Sequence, residues 1–255
     1  MVLELIRRQY PLDAVITVDL GAEFQSIYTA LGQISAICAI EGIPFRTLKP
    51  EHDFMWYFAE KPVREKGGGA HKGYSWCGGR CRWGTALKRD LIARFYREEF
   101  PGEPIAEYVG IAADERDRVS MERGNNIKIY PLVLWGMTEN DCLVAARRAG
   151  FRWREGDTEL YDVLERVSCF CCANKNLGEC RAMIEHLPAY WQKIRDMERM
   201  TGKPFKGLGA AEIEKKKKKR RIASNGMGNI FCGISLCGRI LARTPGGHYR
   251  PYPGR

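Results

Sequence analysis

Apolar and polar positions alternate between two periods along this chain. Ala14-Val15-Ile16-Thr17-Val18 is an unbroken apolar, β-branched run, the pattern of a strand buried on both faces. Ile27, Leu31, Ile34, Ile37 and Cys38 recur at helical spacing, which predicts a helix over 25–41 that Gly42 stops. A second strand follows over 43–48 and a third over 105–111, with an amphipathic helix from Thr85 to Glu99 between them. Strands separated by helices predict an α/β fold with a mostly parallel, doubly wound sheet flanked by helices. Residues 1–9 read as the end of a helix, Asp53–Glu60 as a short aromatic helix, and 127–132 as a short apolar segment. Thr138 is placed to cap a helix running to Ala149, with acidic residues in its first turn. Helices over 176–187 and 189–200 form a helical C-terminal part.

Two loops stand out because each directly follows an apolar strand. Asp19-Leu20-Gly21-Ala22-Glu23 comes after the first, and Ala112-Ala113-Asp114-Glu115 with Arg118 after the third. In open α/β sheets, ligands bind at the carboxyl ends of strands, so both loops are expected at the ends of adjacent strands, facing one cleft. The run Lys66-Gly67-Gly68-Gly69-Ala70-His71-Lys72-Gly73 could approach phosphates, but it has no Walker spacing and reads equally as a solvated loop.

Composition changes this picture at the C-terminus. The chain has 255 residues and a formal charge of +10, with 41 Lys and Arg against 31 Asp and Glu. Eleven of the basic residues and none of the acidic ones lie in 215–255, leaving 30 against 31 in residues 1–214. The body is therefore nearly neutral, and the basicity belongs to the tail. Residues 215–255 show no periodicity after the block Lys215–Arg221 and read as a disordered or out-of-frame basic tail, separate from a 1–214 domain. No run is long enough to span a membrane and the start is no signal peptide, so a cytoplasmic location is expected.

The candidate chemistry is in the cysteines, ten in all. Cys77 and Cys81 form one cluster; Cys169, Cys171 and Cys172 form another, with Cys180 a little further on. Thiolates at such spacing can converge on one ion, and four soft ligands suit zinc or an iron–sulfur cluster. The expected set is Cys77, Cys81, Cys169 and Cys172, with Cys171 and Cys180 in reserve. Ten cysteines without a secretory signal point to a reducing compartment rather than a disulfide framework. Lys88 and Arg89, in the first turns of the helix after Cys81, would lower thiolate pKa values or bind anions.

Taken together, these segments resemble the phosphoadenosine-phosphosulfate (PAPS) reductase family of the adenine-nucleotide α-hydrolase, or N-type ATP pyrophosphatase, superfamily. The resemblance is carried by Val18-Asp19-Leu20-Gly21-Ala22-Glu23-Phe24, by Cys81-Arg82-Trp83 with Thr85 and Leu87-Lys88-Arg89, and by Gly110–Glu115 with Arg118. Tyr130-Pro131-Leu132 with Trp135 and Asp141, and Ser168-Cys169-Phe170-Cys171-Cys172, complete it in family order over residues 1–214. The resemblance implies a five-stranded sheet and an adenine nucleotide, ATP or a sulfonucleotide, at the strand ends. Asp19, Gly21, Glu23, Lys88, Arg89, Ala112, Asp114 and Arg118 would be the nucleotide-binding residues. It also implies sulfur or nucleotidyl transfer, a 4Fe–4S cluster or zinc on the cysteines, and an electron donor such as a thioredoxin-like protein.

Three departures matter. The family's phosphate loop, Ser-Gly-Gly-x-Asp-Ser, has no counterpart here, so weak ATP binding or none is expected. Gly84 stands where the family has a second cysteine, and Cys77 is the substitute ligand. The tail does not continue the family pattern, and no cysteine occupies the family's catalytic position, since Cys232 and Cys237 lie in that tail. The alternatives are an inactive truncated family member, or a non-catalytic metal-binding protein that holds nucleic acid through its basic tail.

Overall fold

The computed structural model describes residues 1–65, 67–79, 81–119, 126–220, 233–234 and 238–243. It is a mixed α/β structure. A short helix, α1 (Val2–Arg7), precedes β1 (Ala14–Val18), whose five residues are all buried, as an unbroken apolar run requires. Helix α2 (Gln25–Ile40) buries Ser26, Ala30, Ile34 and Cys38, a single stripe at i, i+4 spacing, and ends at Gly42 with φ +68°. The chain then enters β2 (Phe45–Leu48), which runs parallel to β1 as the outer strand, with Arg46 and Thr47 exposed.

The aromatic segment narrows to a π-helical turn, Trp56–Glu60, and a small hairpin pairs Pro62–Arg64 with Ala70–Lys72. Gly67–Gly69 of the glycine-rich run thus lie in the turn of that hairpin, and Ala70–Lys72 form its second strand. A second π-helical turn, Arg82–Ala86, leads directly into α3 (Leu87–Glu99). Strand β3 (Ile105–Val109) runs parallel to the three-residue β4 (Ile127–Ile129). Helix α4 (Glu139–Arg148) begins at Thr138, as its sequence predicts. The Thr138 hydroxyl accepts from Asp141 N at 3.2 Å and the Asp141 carboxylate accepts from Thr138 N at 2.9 Å, a complete capping box.

Three further helices, α5 (Leu177–His186), α6 (Pro188–Thr201) and α7 (Ala210–Arg220), bury Met183, Trp191, Ile194, Met197 and Ile213, with Phe205 from the turn between α6 and α7, in one continuous core with the sheet residues. Trp191 Nε1 donates to Glu214 Oε1 at 2.7 Å, and Ala210 N to Glu198 Oε2 at 2.8 Å, binding α7 to α6.

The tail corrects the expected domain boundary. Helix α7 runs through 214 into the lysine block, and Gly238–Arg243 forms β5 inside the sheet. The order is β2-β1-β5-β3-β4, with β5 antiparallel to both neighbours: Ile16 pairs with Arg239, and Tyr108 with Ile240. The physical reason lies in the other four strands. Two parallel pairs present facing edges of unpaired N–H and C=O groups, and such edges accept any extended segment that reaches them. Ile240-Leu241-Ala242 is too short an apolar run to announce a strand. Gly233–Ile234 pairs parallel to Arg166–Val167, and the remaining residues of 221–255, including Cys232 and Cys237, lie outside the described residues.

Removing β5 should therefore split the sheet. Leu241→Pro deletes one central-strand hydrogen-bond donor and should cost about 3 kcal/mol, read as a lower denaturation midpoint. Truncation after Glu214 should have a larger effect. Unfolding curves that match the intact chain would show that this strand is not part of the stable sheet.

Candidate functional site

Because β5 is antiparallel to both β1 and β3, the carboxyl ends of β1 and β3 lie at one edge of the sheet. Asp19–Phe24 and Gly110–Asp114 therefore share that edge, but their strands are not adjacent, since β5 separates them. The first loop is internally tied. Asp19 Oδ1 accepts from Gly21 N at 2.8 Å and from the Tyr28 hydroxyl at 2.9 Å, while Gly21 takes φ +79°, open only to glycine at low cost. Burial and the Asp19 carboxylate push the Tyr28 phenol upward, so it remains a donor.

The second loop is also committed to structure. Asp114 Oδ1 accepts the Glu139 amide at 3.1 Å at the start of α4, and Arg118 pairs with Glu115. Ala112 is buried and lines an apolar cavity of about 120 Å³ with Thr17, Leu132 and Glu139. Burial, then Glu115 and Asp114, push the Glu139 carboxyl up to about 7.

Glu23 joins the strand loop to the cysteines. Its Oε1 accepts from Lys88 Nζ at 2.9 Å, with both side chains mostly buried, and from the Cys169 thiol at 3.6 Å. Arg89 lies on the exposed side of α3 and pairs with Asp90. The backbone adds a second tie, Phe170 N donating to Ala22 O at 3.0 Å. Between the two cysteine loops, Gly79 N donates to Asn174 Oδ1 at 2.8 Å and Asn174 Nδ2 returns a bond to Gly79 O at 2.9 Å. Lys206 Nζ donates to Ala173 O at 2.7 Å, and Trp76 Nε1 to Lys203 O at 2.8 Å. Four segments distant in sequence thus meet at one place: 19–24, 76–84, 169–175 and 203–206.

The sulfurs within this junction differ in state. The Cys77 thiol donates to Ser75 O at 3.8 Å. The neighbouring Cys81 thiol, with the amides of Arg82 and Trp83, pulls Cys77 down to about 6 despite its partial burial. Cys81 moves the other way, pushed up by the neighbouring Cys77 and by its partial burial. The Cys81 sulfur also accepts from Gly84 N at 3.1 Å. Gly84 matters sterically, since a Cβ there would stand 2.8 Å from Cys81 Sγ. Burial and the Glu23 charge push Cys169 up to about 12. Cys171 is packed in the core with its thiol raised by burial, and Cys180 is buried on α5. Cys172 is half-buried and closes a tight turn, its amide donating to Cys169 O at 3.1 Å.

The donor set does not fit a closed metal centre in this conformation. Among the described residues, no three His, Cys, Asp or Glu side chains gather around a point that could hold an ion. Cys77 donates to the Ser75 carbonyl and Cys81 accepts from the Gly84 amide, while Cys169 is hydrogen-bonded to a carboxylate.

Sequence reasoning did not single out Asn174, Lys206 or Lys175. Lys175 is 1% exposed, donates to Ser168 Oγ at 2.9 Å and lies 5.5 Å from the Phe24 ring centroid. No local sequence signal distinguishes a buried lysine from an exposed one. Asn176, by contrast, opens α5 with a capping box whose Asn-x-x-Glu spacing is legible.

No family model matches this chain, and neither the curated proteins nor the solved structures provide a match. Among the described residues, no helix is long and apolar enough to cross a membrane.

Two substitutions test the local geometry. Gly84→Ala should destabilise by about 1–3 kcal/mol through overpacking against the Cys81 sulfur, measured by denaturant unfolding. Unchanged stability would mean that the sulfur has room to move. Glu139 holds its proton more tightly when folded than its ordinary value of 4.5 allows. Its contribution to stability is thus intact below that value and is lost as pH rises towards 7. Glu139→Gln should raise stability at about pH 8 and leave it nearly unchanged at about pH 4; equal effects at both would contradict this.

Proposed function

We propose that this chain is a PAPS-reductase-like protein that binds an adenine nucleotide, ATP or a sulfonucleotide, and supports sulfur or nucleotidyl transfer. The observation that carries the reading is the common edge on which the Asp19 and Asp114 loops lie, with the cysteine loops tied directly to the first of them. In a parallel α/β sheet that edge is where ligands bind, because the loops leave the strands there and expose their backbone amides. The proposed architecture is the doubly wound sheet of the adenine-nucleotide α-hydrolases, with β5 as an added antiparallel member. In this reading the Asp19–Phe24 turn, held by its own carboxylate, presents backbone amides to the nucleotide. Lys88, through Glu23, fixes the turn against α3. Asp114 acts as a positioning residue by setting the start of α4. A zinc ion or iron–sulfur cluster on Cys77, Cys81, Cys169 and Cys172 would require the Cys169 thiol to leave Glu23 and lose its proton.

Titration of isotope-labelled protein with ATP, GTP and adenosine phosphosulfate tests the proposal. Adenine nucleotides should shift backbone signals in 19–24 and 110–114 at dissociation constants of about 0.1–1 mM, near −5 kcal/mol. GTP should bind more weakly, and Asp19→Ala should weaken the adenine response at least severalfold. Equal responses to ATP and GTP, or shifts confined to other regions, would refute it.

A further inference from the structure

We propose that the groove between the 70–78 segment and the 203–207 turn binds single-stranded nucleic acid, with bases on its aromatic rings and phosphates on its basic side chains. None of its lining residues belongs to the Asp19 or Asp114 loops, so the inference does not rest on the nucleotide reading.

Three observations lead to it. First, the groove has two lobes. One, of about 780 Å³, reaches Ser75, Lys203 and Lys206; the other, of about 680 Å³, reaches Arg82. His71, Tyr74, Trp76 and Gly78 line both, so the lobes are continuous. Each alone has the volume of a small-molecule pocket, and a polymer passing from one to the other uses both.

Second, the lining suits phosphate. Lys203, Lys206 and Arg82 supply positive charge, and among the described lining residues there is no Asp or Glu. Lys206 Nζ donates to Ala173 O at 2.7 Å, which holds the ammonium at the larger lobe with two N–H donors to spare. Ser75, also at that lobe, is 5% exposed and its hydroxyl has no partner, a donor that a phosphate oxygen would satisfy. Among the described residues three non-glycine positions take positive φ, and two of them, Ser75 at +55° and Lys206 at +54°, line this lobe. Backbone strain of that kind gathers at ligand sites.

Third, the rings are fixed in place. Trp76 is half-buried, donates from Nε1 to Lys203 O at 2.8 Å, and meets the Phe58 and Phe205 rings edge-on at 4.7 and 4.9 Å. A ring held this way loses little freedom when a base covers it. Tyr74 is half-buried too, with Lys61 Nζ 5.2 Å from its ring centroid. Rings interleaved with cations match bases interleaved with phosphates, whereas an acidic peptide would use the cations alone.

The experiment uses the full chain and an oligothymidylate of about 12 nucleotides, whose base the adenine reading does not call for. Anisotropy of the labelled strand should show binding about tenfold tighter or more than that of thymidine monophosphate or polyglutamate, and falling with salt. Lys203→Gln, at an exposed position, should lower the slope of log affinity against log salt by about 0.7, the value for one lost phosphate contact on a single strand. Tyr74→Ser should weaken binding about fivefold or more and leave that slope unchanged. In case a variant fails to fold, photocrosslinking the unaltered chain to a strand carrying 5-iodouracil gives a second readout. The adduct should fall on tryptic peptide 73–80, which holds Tyr74 and Trp76. Adducts confined to 215–255, an unchanged slope in Lys203→Gln, or thymidine monophosphate or polyglutamate competing as well as the strand would overturn the proposal.

Discussion

The partly buried ion pair between Glu23 and Lys88 is the interaction on which the candidate site depends. Glu23 ends the loop after β1, and Lys88 opens α3 just beyond the first cysteine loop. The same carboxylate oxygen accepts the Cys169 thiol from the second loop. One acceptor therefore sets the spacing of three segments. Its partial burial gives it weight, since a charge-assisted bond shielded from water is worth more than an exposed pair, and breaking one side leaves a buried charge behind. The Gly79–Asn174 amide pair and the Ala22–Phe170 backbone bond then fix orientation.

This arrangement explains why the two cysteine clusters lie close together without sharing a ligand set. Cys169 is committed as a donor to Glu23, and Cys171 is committed to the core. Cys77 donates to Ser75 O, and Cys81 accepts from the Gly84 amide in the turn that leads into the helix carrying Lys88. Gly84 follows from the same geometry, because its missing side chain is the space the Cys81 sulfur occupies. A glycine that interrupts a cysteine spacing in the sequence is, in three dimensions, part of the sulfur's surroundings.

Elements that satisfy their own local rules were the legible ones. An unbroken β-branched run made β1, an i, i+4 stripe made α2, and Thr138 with Asp141 made the start of α4. The edge location of Asp19 and Asp114 was also legible, since it needs only the direction of two parallel strands. What was not legible depended on distant partners. Gly238–Arg243 is a strand because two facing sheet edges accept it, not because its six residues have a period of their own. Asp114 accepts the Glu139 amide at the start of α4 and Arg118 pairs with Glu115, contacts that no local spacing announces. The clustering of cysteines was plain, but which sulfur meets which was not, since that is decided by Glu23, Gly84 and Asn174.

A double-mutant cycle on Glu23→Gln and Lys88→Met, read by equilibrium unfolding, tests this most directly. The account predicts a coupling energy of about 1–3 kcal/mol, as for a hydrogen bond between charged groups held away from water. A coupling below about 0.5 kcal/mol, the level of an exposed surface pair, would show that this ion pair does not hold the site together.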